Sequence, residues 1–111
     1  MLNKNKYLRF FFAIPLVVHC ASGTAQERFP PTQIKQGAAV YAAHCESCHG
    51  VRMQGPQWGI DLATFPRDNP KRFLDSVTHG TRAMPPWGDV IKPDEIQALW
   101  AYVVAGEPGN K

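Results

Sequence analysis

The five residues Cys45-Glu46-Ser47-Cys48-His49 form the string Cys-x-x-Cys-His near the middle of the 111-residue chain. The chain has three cysteines, of which two lie in this string and the third, Cys20, lies far upstream. A disulfide framework for a small exported domain would need more cysteines, spread along the chain. The two thiols and the adjacent imidazole therefore indicate a site for a metal or a cofactor.

Three kinds of site contain a Cys-x-x-Cys pair. A structural zinc site needs four ligands, and the sequence has no second Cys/His pair at ligand spacing. A thioredoxin-like redox pair belongs with a βαβ pattern, which the sequence lacks. When His follows the second Cys directly, the thiols can add to the two vinyl groups of one haem and the imidazole is held beneath the iron. We therefore expect one covalent haem c (heme c), attached through Cys45 and Cys48, with His49 as an iron ligand.

The first 25 residues have the order of a secretory signal, in which a basic start precedes an uncharged stretch and then small residues. These parts are Lys4, Lys6 and Arg9, the nine uncharged residues 10–18, and Gly23-Thr24-Ala25. Nine apolar residues are far fewer than the roughly 20 that span a bilayer. We therefore predict a cleavable signal peptide at residues 1–25 and an exported, periplasmic domain at residues 26–111, without stable membrane insertion.

Cys20 raises the alternative of a lipid-anchored protein. Bacterial lipoprotein signals resemble small residues leading directly into the cysteine, whereas His19 precedes Cys20. Lipidation is therefore the less favoured interpretation and stays open.

The charge balance changes when the predicted signal is removed. Three of the 12 lysines and arginines lie in the signal, and none of the nine aspartates and glutamates does, which leaves nine of each. Since no basic patch or stripe remains, we expect no nucleic-acid partner. The 86 residues that follow the signal provide little core, and a domain of that size often needs an added staple such as a cofactor.

Apolar spacing predicts three helices joined by loops, and no strands. The predicted limits are Thr32 as a cap to about Ala43, Asn69-Pro70 to Gly80, and Pro93 to Gly106. The apolar faces are Ile34, Ala38, Tyr41 and Cys45; Phe73, Leu74 and Val77; and Ile96, Leu99, Trp100 and Val103. Residues 50–68 contain glycines and prolines without a sustained period and are predicted to be loop.

Around the motif the sequence closely resembles the bacterial branch of the class I c-type cytochromes, over nearly all of residues 33–106. Gly37 and Tyr41 match the glycine and the aromatic residue of the family's first helix, and Leu99 and Tyr102 match the apolar-x-x-aromatic pattern of its last helix. The resemblance implies the all-α cytochrome c fold, in which three main helices and loops wrap around one haem. It also implies that the first and last helices cross at Gly37.

The resemblance implies Met84 as the sixth iron ligand, from its place in Met-Pro-Pro-Trp. Met53 is only four residues past His49, too near to reach the opposite face of the haem, and Met1 is lost with the signal. His79 stays open as an alternative ligand at the end of the second helix. His44, beside the motif, is expected to lie on the surface.

Further haem-pocket candidates follow from the same resemblance. Pro56 matches the family's proline, whose region places a backbone carbonyl on the second nitrogen of the ligand histidine. The aromatic residues Trp58, Phe73, Trp87 and Trp100 are expected to pack against the haem rather than to form an electron path, and Trp58 can also donate its indole N–H to a propionate. Arg52 and Arg82 flank the ligand segments and are equally compatible with propionate pairing and with a solvated surface position.

The resemblance implies a periplasmic one-electron carrier rather than an enzyme, because two axial protein ligands leave no open position on the iron. The sequence looks most like small single-haem cytochromes that serve quinoprotein alcohol dehydrogenases. We expect a periplasmic dehydrogenase as electron donor and a respiratory oxidase or another cytochrome as acceptor. Two alternatives stay open: a fixed cytochrome subunit of a multi-subunit dehydrogenase, and a catalytic or gas-sensing haem protein with an open iron.

Overall fold

The computed structural model describes residues 28–55 and 58–107, together with the single positions Leu16 and Val18. Its α-helices are α1 (Pro31–His44), α2 (Glu46–His49), α3 (Pro70–His79) and α4 (Pro93–Ala105), and its 3₁₀ turns are Val51–Met53 and Leu62–Thr64. The predicted all-α class is confirmed, since β structure in the described ranges amounts to one isolated bridge, between Thr81 and Met84. The predicted signal at residues 1–25 lies, apart from those two positions, outside the described residues.

The ends of α3 and α4 agree with the sequence prediction. The Asn69 side chain accepts a hydrogen bond from the Arg72 backbone N–H at 3.1 Å, which caps α3 in the first turn after the proline. Gly80 and Gly106 end the two helices with φ angles of 76° and 77°, a conformation in which glycine has no Cβ clash. Local sequence chemistry therefore fixes the limits of both helices.

The start of α1 differs from the prediction. The helix begins at Pro31, no side chain caps it, and Thr32 lies inside the first turn rather than before it. The Pro30 carbonyl accepts hydrogen bonds from the backbone N–H groups of Gln33 and Ile34, at 3.0 and 3.1 Å. Proline suits the first helical position because its missing N–H would have no intrahelical partner there. The predicted threonine cap is therefore wrong, and α1 begins with the same proline signal as α3 and α4.

The crossing of α1 and α4 at Gly37 is confirmed. A Cβ atom built on Gly37 would lie 2.5 Å from the carbonyl carbon of Ala98 and 2.9 Å from the Cβ of Tyr102. Only a residue without a side chain lets the two backbones approach so closely. This crossing joins the helix that leads into the Cys-x-x-Cys-His segment to the last helix of the domain.

Burial of α4 extends beyond the predicted apolar stripe. Each residue from Ala98 to Val104 exposes 6% of its surface or less, because α4 packs against both α1 and α3. With 13 residues, α4 is also the most apolar helix, and a bilayer crossing needs roughly 20. Within the described ranges, the helices therefore fall short of what spanning a membrane requires.

An aromatic cluster joins α3, α4 and the loop between α2 and α3. The ring centroids of Phe65 and Phe73 are 5.7 Å apart, and that of Trp100 lies 5.2 Å from Phe73. The Arg72 guanidinium lies 5.3 Å above the Phe65 ring, as in a cation–π contact. These contacts anchor the far end of the loop that folds back over the cysteine motif.

Candidate haem site

The cysteine motif lies on a tight junction between α1 and α2. The Cys45 backbone N–H donates to the Tyr41 carbonyl at 2.8 Å, and the Cys45 carbonyl accepts from the backbone N–H groups of Cys48 and His49, at 3.2 and 2.9 Å. Cys45 is half-buried and Cys48 is exposed. One helical turn therefore holds both thiols and the imidazole.

The free thiol of Cys45 is not activated by its surroundings. Burial, together with the neighbouring Cys48 thiol, raises the pKa of Cys45 to about 11. Since the thiolate is the reactive form of cysteine, this thiol is neutral near pH 7 until it forms a thioether.

His49 is buried and oriented by a backbone carbonyl. The side chain is 8% exposed, and its Nδ1 lies 2.9 Å from the Ile60 carbonyl oxygen. A carbonyl only accepts, so Nδ1 carries the proton and Nε2 keeps its lone pair for a metal. The resemblance implied a carbonyl from the region of Pro56. In the structure that carbonyl belongs to Ile60, four positions after Pro56. Pro56 lies outside the described residues.

The loop after the motif is fastened to it at several points. The backbone N–H groups of Trp58 and Gly59 both donate to the Cys48 carbonyl, at 3.3 and 3.0 Å. A Cβ atom on Gly59 would lie 2.5 Å from Nδ1 and Cε1 of His49, so only glycine fits against the face of this ring. The Trp58 side chain is 85% exposed beside this segment. Gly59 could not be identified from the sequence, because a glycine in a glycine-rich loop gives no signal of what it packs against.

Met84 lies on a short turn closed by two backbone hydrogen bonds. Thr81 and Met84 exchange N–H···O bonds of 3.1 and 2.8 Å, and Arg82 inside the turn has a φ of 49°. Gly80 lies directly under the turn, since a Cβ there would be 2.8 Å from the Met84 carbonyl oxygen and from the Pro86 nitrogen. Met84 itself is half-buried. The methionine is thus presented from a constrained backbone.

The chain after Met84 is attached to the end of α3. The Trp87 N–H donates to the Val77 carbonyl at 2.9 Å, and the Gly88 N–H donates to the Thr78 carbonyl at 3.1 Å. These carbonyls belong to the last turn of α3, where no intrahelical donor remains for them. The segment of residues 81–88, called the Met84 loop below, is therefore fixed to α3 along its second half.

A side-chain contact joins the Met84 loop to the residue that precedes the cysteine motif. The ring centroids of His44 and Trp87 are 5.3 Å apart, with the planes tilted by 53°. His44, predicted to lie on the surface, is half-buried at this contact. His79, the alternative ligand, is exposed at the end of α3.

The other pocket candidates lie in the interface between α1 and α4. Gly37 and Leu99 are buried there, as are Tyr41 and Tyr102, whose ring centroids are 5.3 Å apart. The Tyr41 O–H donates to the Gly50 carbonyl at 2.6 Å, directly after His49. These residues hold α1, α4 and the motif together, and contact between them and a haem stays a prediction.

The two tyrosine hydroxyls are held in their neutral forms. Burial is the main cause that raises the pKa of Tyr41 to about 12. Burial also raises the pKa of Tyr102, and so does the Glu107 carboxylate that accepts its hydrogen bond at 2.7 Å. The same carboxylate lies 3.7 Å from Nε of Arg52, so Arg52 is paired with Glu107. Pairing of Arg52 with a haem propionate stays a prediction.

The sequence of this domain matches the profile of one known protein family. The profile of the family described as "Cytochrome C oxidase, cbb3-type, subunit III" matches residues 32–103, well over half of the chain. The chain belongs to this family of c-type cytochromes. The predicted resemblance to class I c-type cytochromes is thereby confirmed.

Individual relatives are similar over most of the described domain. FixP, a cbb3-type cytochrome c oxidase subunit of Azorhizobium caulinodans, is 32% identical over 100 residues, which cover 78% of this chain and 31% of FixP. Cytochrome c6 of Nostoc sp. is 32% identical over 73 residues, which cover 61% of this chain and 66% of that protein. The chain thus spans under a third of the length of this FixP relative and about two thirds of that cytochrome c6.

Solved structures agree with the fold. Cytochrome CL from the marine methylotrophic bacterium Methylophaga aminisulfidivorans has a TM-score of 0.60 at 26% identity, covering 74% of this chain and 58% of that one. The KustC0563 c-type cytochrome has a TM-score of 0.54 at 24% identity, covering 64% of this chain and 98% of that one, and supports the fold alone. The cytochrome c fold is therefore confirmed.

The residues of the motif fit the cofactor of this family. Cys45 and Cys48 lie one helical turn apart, and the hydrogen bond from His49 to Ile60 leaves Nε2 as the ligating nitrogen. The arrangement is that of a thioether-bound haem with a proximal histidine. The cofactor of this chain is thus one covalent haem c.

Proposed function

We propose that this protein carries single electrons in the periplasm, with His49 and Met84 as the two axial ligands of its haem iron. The observation that carries the proposal is the constraint on both ligand segments. His49 is oriented by the Ile60 carbonyl, and Met84 is held by the backbone bonds to Thr81. A thioether is a weak iron ligand, so its binding is favoured when the chain segment that carries it is already constrained. Such a segment loses little conformational entropy when the sulfur binds.

The bound haem supplies a one-electron iron couple, and the chain tunes and protects it. The hydrogen bond from His49 Nδ1 to Ile60 strengthens the imidazole as a ligand. The Met84 sulfur, as the second ligand, would favour ferrous over ferric iron and so raise the reduction potential. With His49 and Met84 both bound, the iron would have no free position for oxygen, which supports carriage of electrons rather than enzymatic chemistry.

We further propose that a periplasmic dehydrogenase reduces the protein and that a respiratory oxidase, or another cytochrome, oxidises it. The signal-like order of residues 1–25 supports export. Similarity to FixP, which is named as an oxidase subunit, supports an acceptor of the oxidase class. The resemblance to cytochromes that serve quinoprotein alcohol dehydrogenases supports a dehydrogenase as the electron donor.

A second candidate function is that of a cytochrome subunit held permanently in a larger redox complex, either a dehydrogenase or an oxidase. The name of the matched family, which is that of an oxidase subunit, favours this candidate. Native purification from the periplasmic fraction distinguishes the two candidate functions. A shuttle elutes alone and is reduced by added dehydrogenase, whereas a subunit elutes with its complex.

The axial ligation is tested by a matched pair of substitutions, Met84→Leu and Met53→Leu. Leucine keeps the apolar volume of methionine but has no sulfur, so only loss of ligation separates the two variants. We expect Met84→Leu to abolish the long-wavelength absorption band of sulfur-ligated ferric haem and to open the ferrous iron to carbon monoxide. Met53→Leu should keep the band, since Met53 is buried only four residues after His49.

A band that survives in Met84→Leu would contradict the assignment. The ligand sulfur would then come from another residue, and Met53 is the next residue to replace. A wild-type ferric protein without the band would instead point to bis-histidine ligation through His79. A wild-type ferrous protein that binds carbon monoxide readily at neutral pH would instead favour a catalytic or gas-sensing role.

A further inference from the structure

The contact between His44 and Trp87 joins the two segments that carry the proposed iron ligands. His44 directly precedes Cys45, and Trp87 lies three residues after Met84. Their ring centroids are 5.3 Å apart and both side chains are half-buried. No backbone hydrogen bond of the Met84 loop reaches α1 or α2 within the described residues, since the loop bonds to itself and to α3. This ring pair therefore ties the loop to the end of α1 that leads into the motif.

The indole of Trp87 stands on a fixed backbone. The Trp87 backbone N–H donates to the Val77 carbonyl at 2.9 Å, and the Trp87 backbone carbonyl accepts from the N–H groups of Val90 and Ile91, at 2.9 and 2.8 Å. Ile91 is only 2% exposed, so this turn is anchored in the core. Only Pro85 and Pro86 separate Trp87 from Met84. Because proline fixes φ, a displacement of Trp87 is passed on to Met84.

His44 is equally well fixed on the other side of the contact. It lies in the last turn of α1, and the next backbone N–H, that of Cys45, donates to the Tyr41 carbonyl at 2.8 Å. Tyr41 is 1% exposed and is held by its own hydrogen bond to Gly50. A side chain on this base cannot follow the Met84 loop if the loop moves away.

We propose that His44 is a positioning residue for the Met84 ligand. Its ring braces Trp87 and so holds the Met84 loop in place beside the end of α1, where the methionine sulfur would stay on the iron. The inference rests on the proposed ligation by His49 and Met84, and assigns the stability of the iron–sulfur bond to a side chain that touches neither ligand. The inference concerns the ring itself, so another aromatic ring at position 44 should serve equally well.

Without the His44 ring, a larger fraction of the protein than in wild type should have Met84 released from the iron. Added imidazole binds ferric haem only in that open population, so its apparent affinity reports how often the loop opens. Loss of one tilted ring pair should raise the apparent affinity by about two- to tenfold, as expected for an interaction of that size.

The experiment compares imidazole binding to the ferric holoproteins of His44→Ala, His44→Phe and Arg72→Ala. His44→Ala should bind imidazole more tightly by that factor, and His44→Phe should restore wild-type affinity because it keeps a ring against Trp87. Arg72→Ala removes a comparable ring contact, with Phe65, at the opposite end of α3. It should lower the denaturation midpoint while leaving the imidazole affinity unchanged.

The outcomes separate this inference from the proposed function. If the wild-type ferric protein lacks the sulfur–iron band, the ligation itself is wrong. If the band is present but His44→Ala has wild-type imidazole affinity, the positioning role of His44 is overturned while the ligation stands. Equal increases in His44→Ala and Arg72→Ala would also overturn it, since they would show a general loss of stability. Where Trp87→Ala accumulates as holoprotein, the double variant with His44→Ala should bind imidazole no more tightly than Trp87→Ala alone.

Discussion

Replacing Gly37 by alanine tests the helix crossing on which the domain is built. The added Cβ would lie 2.5 Å from the carbonyl carbon of Ala98 and 2.9 Å from the Cβ of Tyr102. Ordinary carbon–carbon contacts are 3.5–4.0 Å, so α1 and α4 would have to separate by about 1 Å. A backbone carbonyl inside a helix cannot rotate away as a flexible side chain can, and the whole interface has to yield.

The expected cost follows from two opposing effects. Overpacking of a well-packed contact costs typically about 1–3 kcal/mol, and a clash with backbone belongs at the upper end of that range. Alanine gains about 0.5–1 kcal/mol over glycine from its better helix propensity. The net loss of unfolding free energy should therefore be about 2 kcal/mol for Gly37→Ala. It should be larger for Gly37→Val, which adds a branched side chain.

Guanidinium unfolding of the holoproteins, followed by circular dichroism and by haem absorbance, measures this loss. Ala39→Gly is the matched control, since Ala39 lies two residues away on the exposed face of the same helix. That control should lose about 0.5–1 kcal/mol from propensity alone. A Gly37→Ala protein as stable as wild type, or more stable, would refute the close crossing, because propensity would then be the only effect at work.

Further predictions concern attachment, alkaline pH and folding. Haem should stay with the exported chain in acidified organic solvent, and Cys45→Ser and Cys48→Ser should each lower the holoprotein yield; haem that extracts freely would rule out thioethers. Burial raises the pKa of Tyr41 to about 12, against about 10 in an unfolded chain, so its neutral hydroxyl stabilises the fold fully below about pH 10 and progressively less as the pH rises towards 12. Since Tyr7 lies in the predicted signal, ultraviolet titration of the processed protein reports on Tyr41 and Tyr102, and ionisation of both near pH 10 would contradict their burial. The apoprotein, made without haem attachment, should be largely unfolded by circular dichroism, because the haem bridges segments 35 positions apart between His49 and Met84; native-like helix content and a sharp thermal transition would show that the polypeptide core suffices alone.

Most of the helical framework could be predicted because its signals are local. Asn69 with a following proline and the glycines at 80 and 106 act within one turn of chain, and the structure uses each as expected. The start of α1 was placed wrongly because a threonine and a proline pair compete there, and proline at the first helical position prevailed. The full burial of α4 was underestimated, since periodicity shows one apolar face and only the packing of two neighbours shows that the rest is covered.

The features of the site also differ in whether a local sequence signal predicts them. The Cys-x-x-Cys-His string predicts the cofactor by itself, since thioether attachment requires only neighbouring residues. The carbonyl that orients His49 comes from Ile60, the glycine against its ring is Gly59, and His44 contacts Trp87. None of these contacts has a sequence signature, because each depends on how a loop returns to a distant segment.

The sequence by itself determined the family, the covalent haem, the limits of α3 and α4, and the glycine at which α1 and α4 cross. These depend on residue chemistry within a few positions, or on a motif that carries its own geometry. Only the tertiary structure decided which carbonyl fixes the imidazole tautomer, how the Met84 loop is fastened to α3, and which ring braces that loop against the motif. Those contacts join residues 10 to 43 positions apart, from Trp87 with Val77 to His44 with Trp87. The entropy of closing such loops is overcome only when the whole core forms, so no local pattern can encode them.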